Sequence, residues 1–227
     1  MRPDLADRLA QVKARIGEAA ARAGREPREI TLIAVTKVFP ATAILESYEL
    51  GVRDFGENYL QEFEEKYPQV RALPGARFHL IGHLQSNKAR RASELFHSIQ
   101  TVDTEKLARR LDAAGKPLDI MLEVKLSPEE AKAGVDPSGL PALVAAVRGC
   151  ANLRLLGLMT MPPWSDDAER SRPYFRRLRE LASEQGLEQL SMGMSHDFEV
   201  AIEEGATHVR VGTDLFGRRK RPETAGL

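Results

Sequence analysis

The feature that most limits what this chain can become is an alternation. Short aliphatic runs at residues 30–37, 52–55, 78–81, 96–102, 118–126, 153–160, 189–194 and 207–211 are separated by segments whose apolar residues follow helical spacing. A strand followed by a helix, repeated, implies a parallel sheet, because each helix must carry the chain back across a sheet face before the next strand begins. The tally of runs is the number that closes a barrel. We therefore expect an α/β chain forming one (β/α)8 TIM-type barrel over residues 1–227. The competitor is an open doubly wound sheet, but no Gly-x-Gly-x-x-Gly follows the first strand. One helix falls outside the alternation. Residues 4–24 put Leu5, Leu9, Val12, Ile16 and Ala19 on one face, and Gly24 stops them before the first strand.

Acidic and basic residues balance at 33 each, so no overall field draws the chain to nucleic acid or to a membrane surface. No apolar run approaches the roughly 20 residues of a membrane span. Cys150 is the only cysteine, which excludes an internal disulfide and fits a reducing, cytoplasmic setting. No exposed apolar stripe is obvious, so a monomer is expected. Arg218-Arg-Lys-Arg221 opens a short basic tail, residues 218–227, that reads as solvated.

The chemistry lies where strands end. The first run, Ile30-Thr-Leu-Ile-Ala-Val-Thr-Lys37, stops at a lysine before Pro40. A buried strand delivers its last side chain to the mouth of the fold, where a partly desolvated amine can attack a carbonyl. A lysine at a strand end can equally be a solubilising rim residue. In barrels of this class the loops after the last two strands often bind phosphate. Here those loops read Ser191-Met-Gly-Met-Ser195 and Gly212-Thr213. Gly193 would permit a close backbone approach, and the Ser195 hydroxyl could cap a helix or meet a phosphate oxygen. Arg210 alternates with Val209 and Val211 on the last strand, so it points away from them and needs a partner: a ligand ring nitrogen or an internal carboxylate. Asn58 follows the second strand and could bond a ring substituent or cap the next helix. Trp164 is expected to cover the loop after the sixth strand, and Tyr59 to pack along a helix. Ser127-Pro-Glu-Glu130 has the form of a helix start. No metal site is expected: His79 and His83 are four apart, but that spacing shares a face only on a helix, and Gly82 lies between them.

Six strings carry a resemblance: Ala34-Val-Thr-Lys37, Phe55-Gly-Glu-Asn-Tyr59, His79-Leu-Ile-Gly-His-Leu-Gln-Ser-Asn-Lys88, Leu156-Gly-Leu-Met159, Leu190-Ser-Met-Gly-Met-Ser195 and Val209-Arg-Val-Gly-Thr213. Over the whole chain, in order, it resembles the pyridoxal 5′-phosphate (PLP) homeostasis proteins, PLP-binding barrels like the N-terminal domain of alanine racemase. The resemblance implies PLP as cofactor, Lys37 as the lysine that forms an imine with it, Ser195 with Gly212-Thr213 as the phosphate cradle, Arg210 opposite the pyridine nitrogen and Asn58 beside the ring. It also implies PLP-dependent apo-enzymes as partners. One departure stands out: Lys125 occupies a position where the family usually has asparagine, which could bring a second amine near the cofactor. Lys132 fits the family pattern and is a secondary candidate.

Three readings follow. The first is a non-catalytic protein that holds PLP on Lys37 and releases it to amines or apo-enzymes. The second is an amino-acid racemase, which needs a base on each face of the bound substrate; Tyr59 is the one tyrosine near an expected strand end, and no second domain is visible to supply another. The third is an aldolase-like barrel using Lys37 or Lys125 on a phosphorylated ketone.

Overall fold

A computed structural model describes residues 4–127 and 133–217 of the chain. Eight parallel strands close into a barrel in sequence order: β1 (Thr31–Val35), β2 (Asp54–Glu57), β3 (Arg77–Leu80), β4 (Ser98–Val102), β5 (Leu118–Glu123), β6 (Leu153–Met159), β7 (Gln189–Met194) and β8 (His208–Val211). Pairing of β1 with β8, Leu32 opposite Val209 and Ile33 opposite Arg210, closes the sheet and excludes the open doubly wound arrangement. The helices are α1 (Leu5–Arg22), α2 (Ala41–Glu49), α3 (Leu60–Val70), α4 (Ala89–Leu95), α5 (Glu105–Asp112), α6 (Leu140–Arg148), α7 (Arg172–Glu184), α8 (Phe198–Glu203) and α9 (Thr213–Phe216). Among the described residues, no helix is long and apolar enough to cross a membrane.

Each helix exists because its apolar stripe has a sheet face to cover. In α5 the Thr104 hydroxyl accepts from the Leu107 amide at the N-terminus, and Leu107, Ala108 and Leu111 are buried. In α1 the stripe Leu5, Leu9, Val12, Ile16, Ala19 and Ala20 is buried, packed against α8 and α9. The extra helix therefore closes over the side of the barrel where β7 and β8 end. Between sheet and helices, the Phe63 ring lies 4.9 Å from Phe78 and 4.7 Å from Phe96, centroid to centroid.

Two local readings change, and three more lie wholly or partly outside the described residues. The strand at the start of the barrel ends at Val35, so Lys37 stands on the turn after it, closed by the Phe39 amide donating to the Thr36 carbonyl at 3.1 Å. The apolar run overstates the strand because those residues are buried by the mouth as well as by the sheet. The fifth strand stops at Glu123, and Val124 continues as an isolated bridge to Val135. The helix start expected at Ser127-Pro-Glu-Glu130 extends beyond the described residues, and Lys132 and the basic cluster 218–221 lie outside them.

Phe63 is fully buried and touches three other aromatic rings. Phe63→Ala should cost about 3–5 kcal/mol, because the lost transfer free energy adds to that of an unfilled cavity. Urea denaturation of both proteins, compared at equal slope, measures it.

Candidate functional site

The strands' C-terminal ends open into a cavity of about 470 Å³ lined by Lys37, Asn58, Ser195, Arg210, Gly212 and Thr213, with Ile81, Met161, Trp164 and His196 among the other walls. The barrel thus collects residues up to 182 positions apart (Val35 to Gly217) around one space. Gly193 is not among the lining residues. Its φ is 89°, and a Cβ there would come within 2.5 Å of the Ala201 Cβ and 2.9 Å of the Phe198 Cα. The close approach it permits is that of α8 to its own strand.

Arg210 is 3% exposed and sits in the barrel lumen. Its Nη1 donates to the Ser191 Oγ at 2.7 Å and its Nη2 to the Thr160 carbonyl at 3.0 Å. Among the described residues no carboxylate bonds it; Glu123 and Asp197 act on it only through space. Burial lowers its pKa to about 10, so it remains a cation at neutral pH. The chain of polar groups continues. Ser191 Oγ donates to Gln100 Oε1 at 2.7 Å, Gln100 Nε2 lies 3.2 Å from His79 Nδ1, and His79 Nε2 lies 2.8 Å from Asp54 Oδ1. An arginine can only donate, which fixes the polarity of every later bond. Ser191 accepts from Arg210 and passes its own proton toward Gln100. The Gln100 amide then donates to Nδ1, and the His79 Nε2–H donates to Asp54. Gln100 on β4 and Ser191 on β7 face each other across the lumen, so this line fixes Arg210 from the far wall.

Ser195 neither caps α8 nor faces away. Its Oγ accepts from the Gly212 amide at 3.3 Å and the Asp214 amide at 3.4 Å, joining the loop after β7 to the loop after β8. The turn before α8 is held by Asp197 instead, whose Oδ1 accepts from the Met194 amide at 2.7 Å. Arg15 of α1 clasps both loops from outside, donating to Glu199 at 2.6 Å, Asp214 at 2.5 Å and the Ser195 carbonyl at 3.3 Å, with its guanidinium 4.4 Å from the Phe198 ring centroid. Sequence reasoning missed Arg15, because an arginine on the polar face of an amphipathic helix reads as solvated. Ser191 and Gln100 were missed as well. Alternation places them inside the barrel, and a buried hydroxyl or amide there needs a partner.

Asn58 is not a helix cap: Tyr59 occupies that position, and no side chain bonds the first turn of α3. Among the described residues the buried Asn58 Oδ1, beside the cavity, has no hydrogen-bond partner. Tyr59 does not pack along a helix; it is 53% exposed. Trp164 does not cover its loop either: it is 70% exposed and stands at the cavity's lip, 6.2 Å from the His196 ring. Lys125 is not among the lining residues. Among the described residues no group of three or more His, Cys, Asp or Glu could hold a metal ion.

Glu123, at the end of β5, is 3% exposed. Burial and the nearby Asp103 raise its pKa from the usual 4.5 to about 7, against the pull of Arg210. The folded state therefore keeps a proton that the unfolded chain loses at lower pH. Stability from this group is fully present below about pH 4.5 and falls as pH rises toward 7, by roughly 3 kcal/mol at most. Glu123→Gln should flatten that slope, as read from urea midpoints between pH 5 and 8.

The alanine racemase N-terminal domain family matches residues 8–220. A protein of Pseudomonas aeruginosa called pyridoxal phosphate homeostasis protein is 48% identical over 221 residues, covering 95% of this chain and 96% of that one. The solved structure of PipY of Synechococcus elongatus with PLP bound is 40% identical, with a TM-score of 0.84, covering 94% of this chain and all of that one. Alanine racemase of Corynebacterium glutamicum, 18% identical with a TM-score of 0.68, shares the fold; the match covers 94% of this chain and 61% of the racemase. A barrel of this order, matched end to end at this identity, belongs to the alanine racemase N-terminal domain family and, within it, to the pyridoxal phosphate homeostasis proteins.

Proposed function

We propose that the chain is one PLP-binding barrel that stores the cofactor as a Schiff base on Lys37 and releases it to amines or apo-enzymes. One observation carries the reading: a single cavity brings together an amine, a buried cation and a serine hydroxyl seated on two backbone amides. The residues fit the group. PLP supplies an aldehyde, a ring nitrogen and a phosphate; Lys37 offers the amine, Arg210 the cation for the nitrogen, and Ser195, Gly212 and Thr213 the phosphate end. The orphaned Asn58 Oδ1 has an acceptor free for a ring substituent that donates. The relatives named above are called homeostasis proteins, and PipY was solved with PLP, which supports the assignment.

Arg210 shapes what the site does. A guanidinium held in the lumen by neutral partners disfavours a proton on a ring nitrogen facing it. An unprotonated pyridine is a poorer electron sink, so the cofactor is kept more than used. A racemase would also need a second base, and none of the chain's four tyrosines lines the cavity. Bound there, PLP would supply an aldehyde carbon that an incoming amine could take over from the Lys37 nitrogen, and Lys37 would be left as a free amine when the cofactor leaves.

Purified protein should be yellow, and borohydride should fix the cofactor to the peptide containing Lys37. Lys37→Ala should remove the absorption band and the reducible adduct while leaving the urea midpoint near that of the parent; an adduct persisting on Lys125 would move the assignment there. Ser195→Ala should weaken PLP retention by about tenfold, the worth of one charge-assisted hydrogen bond, and leave pyridoxal retention nearly unchanged. Equilibrium dialysis with both compounds separates the two, and equal losses would remove Ser195 from the phosphate end.

A further inference from the structure

The backbone on both sides of Lys37 is held by a buried charged triad that the proposed function does not use. Val38 has φ 62° and is the one non-glycine residue with positive φ among the described residues. A β-branched side chain in the left-handed region is strained and persists only where its surroundings impose it. Here three side chains impose it. The Val38 amide donates to Glu62 Oε1 at 2.6 Å. On the other side of Lys37, the Thr36 hydroxyl donates to Glu57 Oε1 at 2.7 Å, and the Thr36 carbonyl accepts from Lys66 Nζ at 2.9 Å. Lys66 joins the two carboxylates, 2.8 Å from Glu57 Oε1 and 2.5 Å from Glu62 Oε1. An ammonium has three donors, and these three acceptors use them all.

The burial is as telling as the distances. The side chains of Lys66 and Glu57 are 7% and 0% exposed, and among the described residues Glu57 Oε2 has no hydrogen-bond partner. Buried ion pairs of this kind are often replaceable by packed apolar residues without loss of stability. Stability alone is therefore a weak reason to bury a lysine and a glutamate here. The triad's bonds to its surroundings end on Thr36 and Val38, the two neighbours of Lys37.

We infer that Lys66, with Glu57 and Glu62, is a positioning device for Lys37. It fixes the turn on both sides of that lysine and so sets the direction in which its amine enters the cavity. The inference rests on the reading of Lys37 as the amine the site uses. Near-attack geometry is sensitive on the scale of an ångström. A turn released from its left-handed residue would swing the amine by more than that.

Glu62 is the member to change first, because its side chain is 25% exposed and its loss leaves the Lys66–Glu57 pair intact. Glu62→Ala removes the acceptor for the Val38 amide, and Glu62→Gln keeps one. Two readouts are taken. One is the rate at which PLP added to cofactor-free protein forms the borohydride-reducible adduct on Lys37. The other, in cofactor-free protein, is acetylation of Lys37 by acetic anhydride relative to the exposed Lys13 in the same sample, read by mass spectrometry. Glu62→Ala should slow adduct formation between about ten- and a hundredfold, and Glu62→Gln should restore most of the rate. Acetylation of Lys37 relative to Lys13 should change in the alanine variant and return in the glutamine variant. Parental rates and ratios in Glu62→Ala, at an unchanged urea midpoint, would overturn the inference. If the parent protein formed no adduct on Lys37, the cofactor reading would fail, and the acetylation ratios would still decide whether the triad sets this lysine. Should Glu62→Ala not fold, the double variant Lys66→Met/Glu57→Gln, which removes the buried charges together, takes its place under the same two readouts.

Discussion

The constraint on which this structure turns is the cost of keeping a guanidinium inside a barrel. Arg210 is almost wholly removed from water, yet bonds to a hydroxyl and a carbonyl instead of a carboxylate. A carboxylate partner would neutralise it; neutral partners position it and leave its charge to act on what lies in the cavity. The rest of the lumen is arranged to make that arrangement tolerable. Ser191, Gln100, His79 and Asp54 form a line whose donor and acceptor order is dictated from the arginine end. The core between sheet and helices is aromatic and aliphatic, whereas the lumen is threaded by polar groups. The apolar layer supplies the stability that lets the lumen be given over to function.

The mouth is built by the same division of labour. Two loops after β7 and β8 come together because Ser195 accepts from amides of the second, and Arg15 reaches from α1 to hold both. The helix that precedes the barrel is thus part of the site. On the other side of the cavity, the turn carrying Lys37 is held through Glu57, Lys66 and Glu62. In both places charged side chains outside the cavity clamp backbone, and the backbone in turn aims the groups that face inward.

Much of this was legible in the chain. Alternating runs and helical stripes led to a closed barrel with an additional N-terminal helix, because burial on both faces of a strand and on one face of a helix leaves period and length in the sequence. The strings around Lys37, Asn58, Ser195 and Arg210 led to the family, and the barrel brings those residues to one cavity. Gly193 is expected to permit a close backbone approach, and the approach it permits is that of α8; a glycine announces crowding without saying what crowds it. Trp164 and Tyr59 are expected to be packed, yet both are exposed, since an aromatic residue in a loop carries no period from which to judge its burial.

The sequence by itself determined the elements, their order and the closure they imply, because these follow from local periodicity and from rules that apply to any parallel barrel. Only the tertiary structure decided who bonds whom across the lumen and around the mouth. Arg15 and Asp214 are separated by 199 positions, and Gln100 and Ser191 by 91. No local pattern encodes such pairings. They arise when closure of the sheet sets opposite walls face to face and removes the water that would otherwise have satisfied each group alone.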